Sequence, residues 1–166
     1  MNTTPAAPPI DGFDHITLPA HDLDSAEEFY VGLLGASLVR KFDRDTFLRF
    51  RPDRAAEADA DNSPLHLAVR LGDLPELHLF LHRNRQKPVP SPHPHLAMRV
   101  DHDHLDAFVL RLQAAHVPVD GPRRLGPPGQ ASVYFADPFG NTLELTTTGY
   151  TGPVCEGPPE ITKLGW

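Results

Sequence analysis

The sequence predicts an α+β fold in which two βαβββ modules pair into a partly open, barrel-like sheet. Three observations predict it. The order strand, acidic helix cap, amphipathic helix, further strands occurs twice, over residues 10–88 and again over 89–148, which internal duplication explains better than coincidence. Each half opens on a strand with a histidine near its start, His15 and His95. The second half closes on a turn, Asp137-Pro138-Phe139-Gly140-Asn141, that runs straight into Thr142-Leu143-Glu144-Leu145. Neither half alone buries much surface, so the two are expected to complete a shared core or to exchange across a dimer.

Residues 1–9 are dominated by Pro, Ala and Thr and read as a disordered lead, with order expected from Ile10. Residues 13–18 alternate as a strand, with Phe13, His15 and Thr17 on one face and Ile16 and Leu18 on the other. Asp22 or Asp24 can cap the following helix, and Ser25 with Glu28 has capping-box spacing. Its apolar stripe is Ala26, Phe29, Tyr30 and Leu33, and Gly35 stops it. Residues 38–42 and 46–50 are expected to form a hairpin around Asp43-Arg44-Asp45. Residues 51–63, rich in Asp, Ala and Arg, are expected to be an exposed excursion. Alternation returns at 65–71 and 77–82, and Pro75 keeps these from being one strand. Four prolines within residues 83–94 mark the internal boundary.

The second half repeats the pattern. A strand over 95–100 leads to Asp101 or Asp103 as cap, then to a helix whose buried face is Leu105, Phe108, Val109 and Leu112, ending near His116. Residues 117–119 enter a Gly/Pro-rich loop expected over 121–129, and 132–136 form a strand before the closing turn. Asp-Pro favours turn initiation, and Gly140-Asn141 tolerates backbone angles that most residues resist. Residues 149–166 read as a mostly loop-like C-terminal extension in which Trp166 has no evident partner.

Composition narrows the function classes. Forty per cent hydrophobic and 22% charged residues fit a globular domain. A net charge of −7 gives nucleic acid no broad electrostatic footprint, and the short basic run 83–87 reads as a solvated loop. No run of 18 apolar residues exists, so no membrane span is expected. No basic-then-apolar leader opens the sequence, and a cytoplasmic location is expected. The single Cys155 forms no intrachain disulfide and reads as an unused thiol.

Chemistry concentrates around Glu144. A carboxylate between two leucines in a strand is costly unless it faces solvent, a cation or a metal. His15 and His95 hold equivalent positions in the two opening strands, and a pseudo-twofold axis would make their inward faces meet. Two imidazoles and one carboxylate suit Fe(II), Mn(II), Ni(II) or Zn(II). Three protein ligands leave positions for water and substrate. His78, in Leu77-His78-Leu79, is the first-half counterpart of Glu144 in Leu143-Glu144-Leu145. It can be a fourth ligand, a support for one, or an acid/base group; His82 follows on the same face. Tyr134 can fold back beside the metal and orient an oxygenated substrate, or simply pack. His93 shares a face with His95, but His95 matches His15 and leads into the alternation. His21, His66, His102, His104 and His116 are assigned to surface, cap or packing roles. Neither a Ser-His-Asp order nor a phosphate-cradling Gly-rich loop is visible.

With these pieces in place, the sequence resembles the vicinal-oxygen-chelate superfamily, which includes glyoxalase I, fosfomycin-resistance proteins, bleomycin-sequestering proteins and extradiol dioxygenases. The resemblance rests on Asp14-His15-Ile16-Thr17-Leu18, on residues 24–35 with Phe29-Tyr30 and Leu33-Leu34-Gly35, on His95-Leu96-Ala97, and on residues 134–144. It implies a metal cleft between the paired modules, with His15, His95 and Glu144 as the metal ligands and His78 and Tyr134 as catalytic residues. His78 departs from the Gln or Glu that glyoxalase I usually carries as fourth ligand. Among the activities the resemblance offers, a small extradiol-type dioxygenase fits best, with Fe(II) favoured and a catecholic substrate cleaved by O₂. The alternatives are a glyoxalase-like lyase or isomerase using Ni(II) or Zn(II), and a bleomycin-resistance-type binding protein without turnover. A fosfomycin-type transferase is less favoured, because no basic residue follows Glu144 closely. The expected partners are a small aromatic or vicinally oxygenated molecule and a second copy of the chain, since many short members form homodimers, some with ligands shared between chains.

Overall fold

A computed structural model describes residues 13–164 apart from 85, 87 and 90. The lead over residues 1–9, the expected start of order at Ile10, and Trp166 lie outside the described residues. The element order is β1 (His15–Ala20), α1 (Leu23–Glu27) continuing as a π-helical turn (Glu28–Leu33), β2 (Ser37–Phe42), α2 (Arg44–Phe50), α3 (Ala55–Ala58), β3 (Asn62–Arg70) and β4 (Glu76–His82). The second half runs β5 (Leu96–Arg99), α4 (Leu105–Ala114), β6 (Val119–Arg124), β7 (Ala131–Ala136), β8 (Thr142–Thr147) and a two-residue β9 (Cys155–Glu156). A 3₁₀ turn, Ile161–Leu164, ends the described chain. No helix among the described residues is long and apolar enough to cross a membrane.

The two sheets have the same plan. The first is ordered β1-β4-β3-β2 and the second β5-β8-β7-β6-β9. In each, the opening strand lies parallel to the last strand of its module and the remaining pairs are antiparallel, apart from the parallel addition of β9 to β6. The architecture is therefore α+β with two mixed, open sheets. Strand alternation divides each sheet cleanly. Leu65, Leu67, Val69, Leu77, Leu79 and Leu81 point into the core from the first sheet; Val133, Phe135, Leu143 and Leu145 do so from the second. Asp22 caps α1 by accepting from the Ser25 N–H at 2.7 Å. The helix then buries Ala26, Phe29 and Tyr30, and Gly35, at φ +77°, ends it where a side chain would be strained. In α4, Leu105 and Leu112 are buried while Phe108 and Val109 are half-buried against the core.

Three sequence expectations need correction. Residues 46–50 are not the second arm of a hairpin: Arg44–Phe50 is a helix, because the Asp43 carboxylate accepts from the Thr46 N–H at 2.9 Å and nucleates a turn. Phe47 then packs edge-on to Phe42 at 5.7 Å. Residues 51–63 are not wholly exposed, since α3 buries Ala58 and Ser63 bonds back to its carbonyl at 3.0 Å. The loop expected from residue 121 begins only after Arg124, because a bulge between Asp120 and Arg123 lets β6 continue through Gly121 and Pro122.

The turn before β8 staples the modules together. The buried Asp137 carboxylate accepts from Tyr30 Oη (2.8 Å), Phe139 N (2.9 Å), Asn141 N (2.8 Å) and Asn141 Nδ2 (2.7 Å). Asn141 Nδ2 also donates to the Pro19 carbonyl at 3.0 Å. Tyr30 and Pro19 belong to the first module, so one carboxylate fixes the turn and the inter-module seam together.

The C-terminal segment is held by a second polar knot. Arg123 makes a two-pronged bond to Asp120 (2.6 and 2.8 Å) and reaches Glu160 at 2.7 Å, while the Glu160 N–H donates to Asp120 at 2.7 Å. Burial pushes the Asp120 carboxyl up, but the Arg123 and Glu160 donors together outweigh it and hold it below the ordinary range. Lys163 and then Arg123 lower Glu160 in the same sense. Folded values below the unfolded ones mean that this contribution is complete above about pH 5 and is lost as pH falls through the folded values. Acid titration followed by NMR is expected to release the Glu160 amide before the β7–β8 pair opens. Simultaneous loss of both would refute this.

Candidate metal centre

The strand registers align the two modules residue by residue. Thr17 pairs with His78 between β1 and β4, and Ala97 pairs with Glu144 between β5 and β8. His15 and His95 each lie two residues before those partners, so His15 is equivalent to His95 and His78 to Glu144. Both sets share the sheet face opposite the core, since alternation sends Leu77, Leu79, Leu143 and Leu145 the other way.

In the second module, His95 Nε2 lies 2.9 Å from Glu144 Oε2. His95 Nδ1 sits 2.7 Å from the Pro92 carbonyl, which can only accept, so Nδ1 carries a proton. Nε2 and the carboxylate therefore face one another as two electron-rich atoms unless a proton or a cation lies between them. That is the tautomer a metal-binding histidine adopts when its far nitrogen is tied to a carbonyl. Ser132 Oγ donates to the other carboxylate oxygen, Glu144 Oε1, at 2.6 Å and fixes its orientation. Tyr134 lies directly across the strand pair from Glu144 and edge-on to His95, with ring centroids 5.9 Å apart. Burial, then the Glu144 carboxylate, push its hydroxyl up to about 12, so it is a proton donor near neutral pH.

The first module carries the matching half. His15 Nδ1 bonds to Asp14 Oδ1 at 2.6 Å, leaving Nε2 for another partner. His78 stacks on His15 with ring centroids 4.5 Å apart and planes 10° apart, and His66 stacks on His78 at 5.2 Å. His78 Nε2 is engaged by Glu76 Oε2 at 3.0 Å, and Glu76 also accepts from Arg40 and Arg70, each at 2.9 Å. The His78 bond leads the influences that keep the Glu76 carboxyl below the usual range. His66 is lowered, chiefly by burial. His82 lies four residues beyond His78, in register with Asn62, and His93 stacks on His95 at 5.2 Å.

The chain thus joins His95 to Glu144 and Tyr134, and His15 to His78, as two half-sites. No choice of one donor atom each from His15, His95 and Glu144 falls within a 4.8 Å span; among the described residues that condition is met by Asp101, His102 and Asp103. Those three are exposed, and Asp101 accepts from the Asp103 N–H at the start of α4. Sequence reasoning missed Ser132, Glu76 and His66 as members of the site. Alternation could have found two of them, because Ser132 shares a face with Tyr134, and Glu76 with His78; His66 reaches His78 only through the pairing of β3 with β4.

The profile of the Glyoxalase/Bleomycin resistance protein/Dioxygenase superfamily matches residues 12–145. Among solved structures, a glyoxalase/dioxygenase from Nostoc punctiforme is similar at a TM-score of 0.61 and 21% identity, over 89% of this chain and 98% of that one. The genomically encoded fosfomycin resistance protein FosX from Listeria monocytogenes is similar at 0.60 and 19%, over 83% and 93%. A glyoxalase/bleomycin resistance protein/dioxygenase from Alicyclobacillus acidocaldarius is similar at 0.59 and 23%, over 83% and 92%. No curated protein matches the chain in sequence. With a duplicated βαβββ fold, equivalent histidines at both strand starts and a profile match spanning most of its length, the chain belongs to the Glyoxalase/Bleomycin resistance protein/Dioxygenase superfamily.

Proposed function

We propose that the protein is a metal-dependent dioxygenase of the extradiol type acting on a catecholic ring, with Fe(II) held by His95 Nε2, Glu144 Oε2 and His15 Nε2. The observation that carries this reading is the engagement of His78 by Glu76, which withholds the fourth ligand position. Two histidines and one carboxylate then leave several coordination positions open. When bound, Fe(II) supplies adjacent positions at which an oxygenated ring and O₂ come together. Ser132 orients Glu144, and the Pro92 carbonyl fixes the His95 tautomer. Tyr134, protonated at neutral pH, donates a hydrogen bond to substrate oxygen. His78, with its Nε2 proton held by Glu76, is the group that takes up and returns a proton through Nδ1.

The cleft beside His95 supports an aromatic ligand. It lies between β1 and β5, has a volume of about 440 Å³, and is walled by Ile16, Leu18, Val89, Pro94 and Leu96. None of its described lining residues is a lysine or arginine. Arg40 and Arg70 stand instead beside His78 in the other half-site, so a phosphonate-bearing ligand such as the dihydroxypropylphosphonic acid bound with Mn(II) in a Listeria FosX structure would call on that side rather than on this cleft. Because the half-sites stay separate within one chain, we propose a homodimer in which His15 of a second copy completes the trio. The protein loaded anaerobically with Fe(II) is expected to consume one O₂ per catechol turned over across a panel of substituted catechols. No oxygen uptake would overturn the reading. Anaerobic turnover with Ni(II) or Zn(II) would assign a glyoxalase-type reaction instead, and tight metal-free ligand binding without turnover a sequestering protein.

A further inference from the structure

Three cross-strand steps lead from His95 beside β5 to Glu144 on β8, Tyr134 on β7 and Asp120 on β6, all on one face of the second sheet. Beyond Asp120 lies the C-terminal segment, outside the part of the chain that matches the superfamily. It seats on this face. Ile161 and Leu164, 6% and 3% exposed, pack on Tyr134 and Ala136 as an apolar cluster separate from the main core. The knot of Asp120, Arg123, Glu160 and Lys163 anchors the same turn. Asp120 and Arg123 side chains are each only 5% exposed, and a buried ion pair is costly to desolvate. The segment thus fixes one geometry at the residue that stands between it and His95.

We propose that residues 157–164 are a clamp that holds the Tyr134 ring edge-on to His95 and walls the His95–Glu144 pair on its β6 side, with Ile161 and Leu164 as positioning residues. This rests on reading His95, Glu144 and Tyr134 as one site. It also gives the ligand a direction: a molecule held at His95 and Glu144 extends toward the first module, because the β6 side is walled.

Two readouts on the full chain test it. Tetranitromethane nitration mapped by mass spectrometry is expected to leave Tyr134 unreacted in the parent protein. In Ile161→Ala/Leu164→Ala it is expected to label Tyr134 roughly tenfold faster or more, while fully buried Tyr30 stays protected. With Mn(II) as the probe, the variant is expected to keep the parent's affinity but raise the water-proton relaxation per bound ion, because Tyr134 no longer screens it. Tyr134→Ala should give the same rise, and adding the double substitution to it should give nothing more. A merely structural role would leave the relaxation unchanged or make the effects additive, and either result overturns the clamp. Unchanged nitration of Tyr134 also overturns it. If Tyr30 reacts too, the double variant has unfolded, and Leu164→Ala alone decides by the same criteria. If the parent binds no Mn(II), the metal-enzyme reading fails, while the nitration result still decides the clamp.

Discussion

Glu144→Gln is expected to lower Mn(II) affinity by more than the roughly 10–100-fold that removal of a supporting residue costs, with little change in the fold. Gln has the shape of Glu and still offers an oxygen to Ser132 Oγ, so the hydrogen bond at 2.6 Å can persist. What disappears is the charge. The His95 Nε2 lone pair would then face a neutral amide, which gives a divalent ion far less than a carboxylate does. Titration calorimetry with Mn(II), beside a thermal melt, separates the two effects; unchanged affinity would remove Glu144 from the ligand set. The shared-site arrangement is tested by the same measurement. His15→Ala and Glu144→Ala homodimers should each lack the full site, whereas a hybrid of the two should regain one intact site of two. A hybrid as defective as its parents would place all three ligands in one chain.

Asp137→Ala is expected to be the most destabilising substitution in the turn, costing about 3–5 kcal/mol. It strands two backbone N–H groups, the Tyr30 hydroxyl and the Asn141 amide in a region with little water. For a chain of this length the melting temperature should fall by about 10 °C or more. Tyr30→Phe removes one partner and leaves three, so its cost is expected near 1–2 kcal/mol. Because both residues serve one network, the double variant should be less destabilised than the sum. Additivity, or a loss for Asp137→Ala no larger than for Tyr30→Phe, would deny the carboxylate its role at the seam.

The repeat was legible in the sequence because it is written in local patterns. Strand alternation, the Asp22 cap, the Gly35 stop and the Asp137–Asn141 turn each depend on a few neighbouring residues. The same locality explains the errors. Residues 44–50 follow a capping aspartate, Asp43, and carry an apolar pair that fits either helix or strand; the Asp43 cap on the Thr46 N–H and the packing of Phe47 against Phe42 together decide for helix. The Asp120–Arg123 bulge was hidden because Gly121 and Pro122 read as a loop unless long-range pairing with β7 holds them in a strand. Within the site, the face shared by Ser132, Tyr134 and Glu144 was readable, but the engagement of His78 by Glu76 was not. Nothing in Glu76-Leu77-His78 says which acceptor the imidazole chooses.

By itself, then, the sequence determined the two-module α+β plan and the equivalence of His15 with His95 and of His78 with Glu144, since period-two alternation and a repeated order need no distant partner. Only the tertiary structure decided which of these residues meet. It joined His95 to Glu144, stacked His15 on His78, and packed Ile161 and Leu164 on Tyr134. The physical reason is that side-chain convergence depends on how separate strands are registered and how sheets are packed, and those are set by burial across the whole chain.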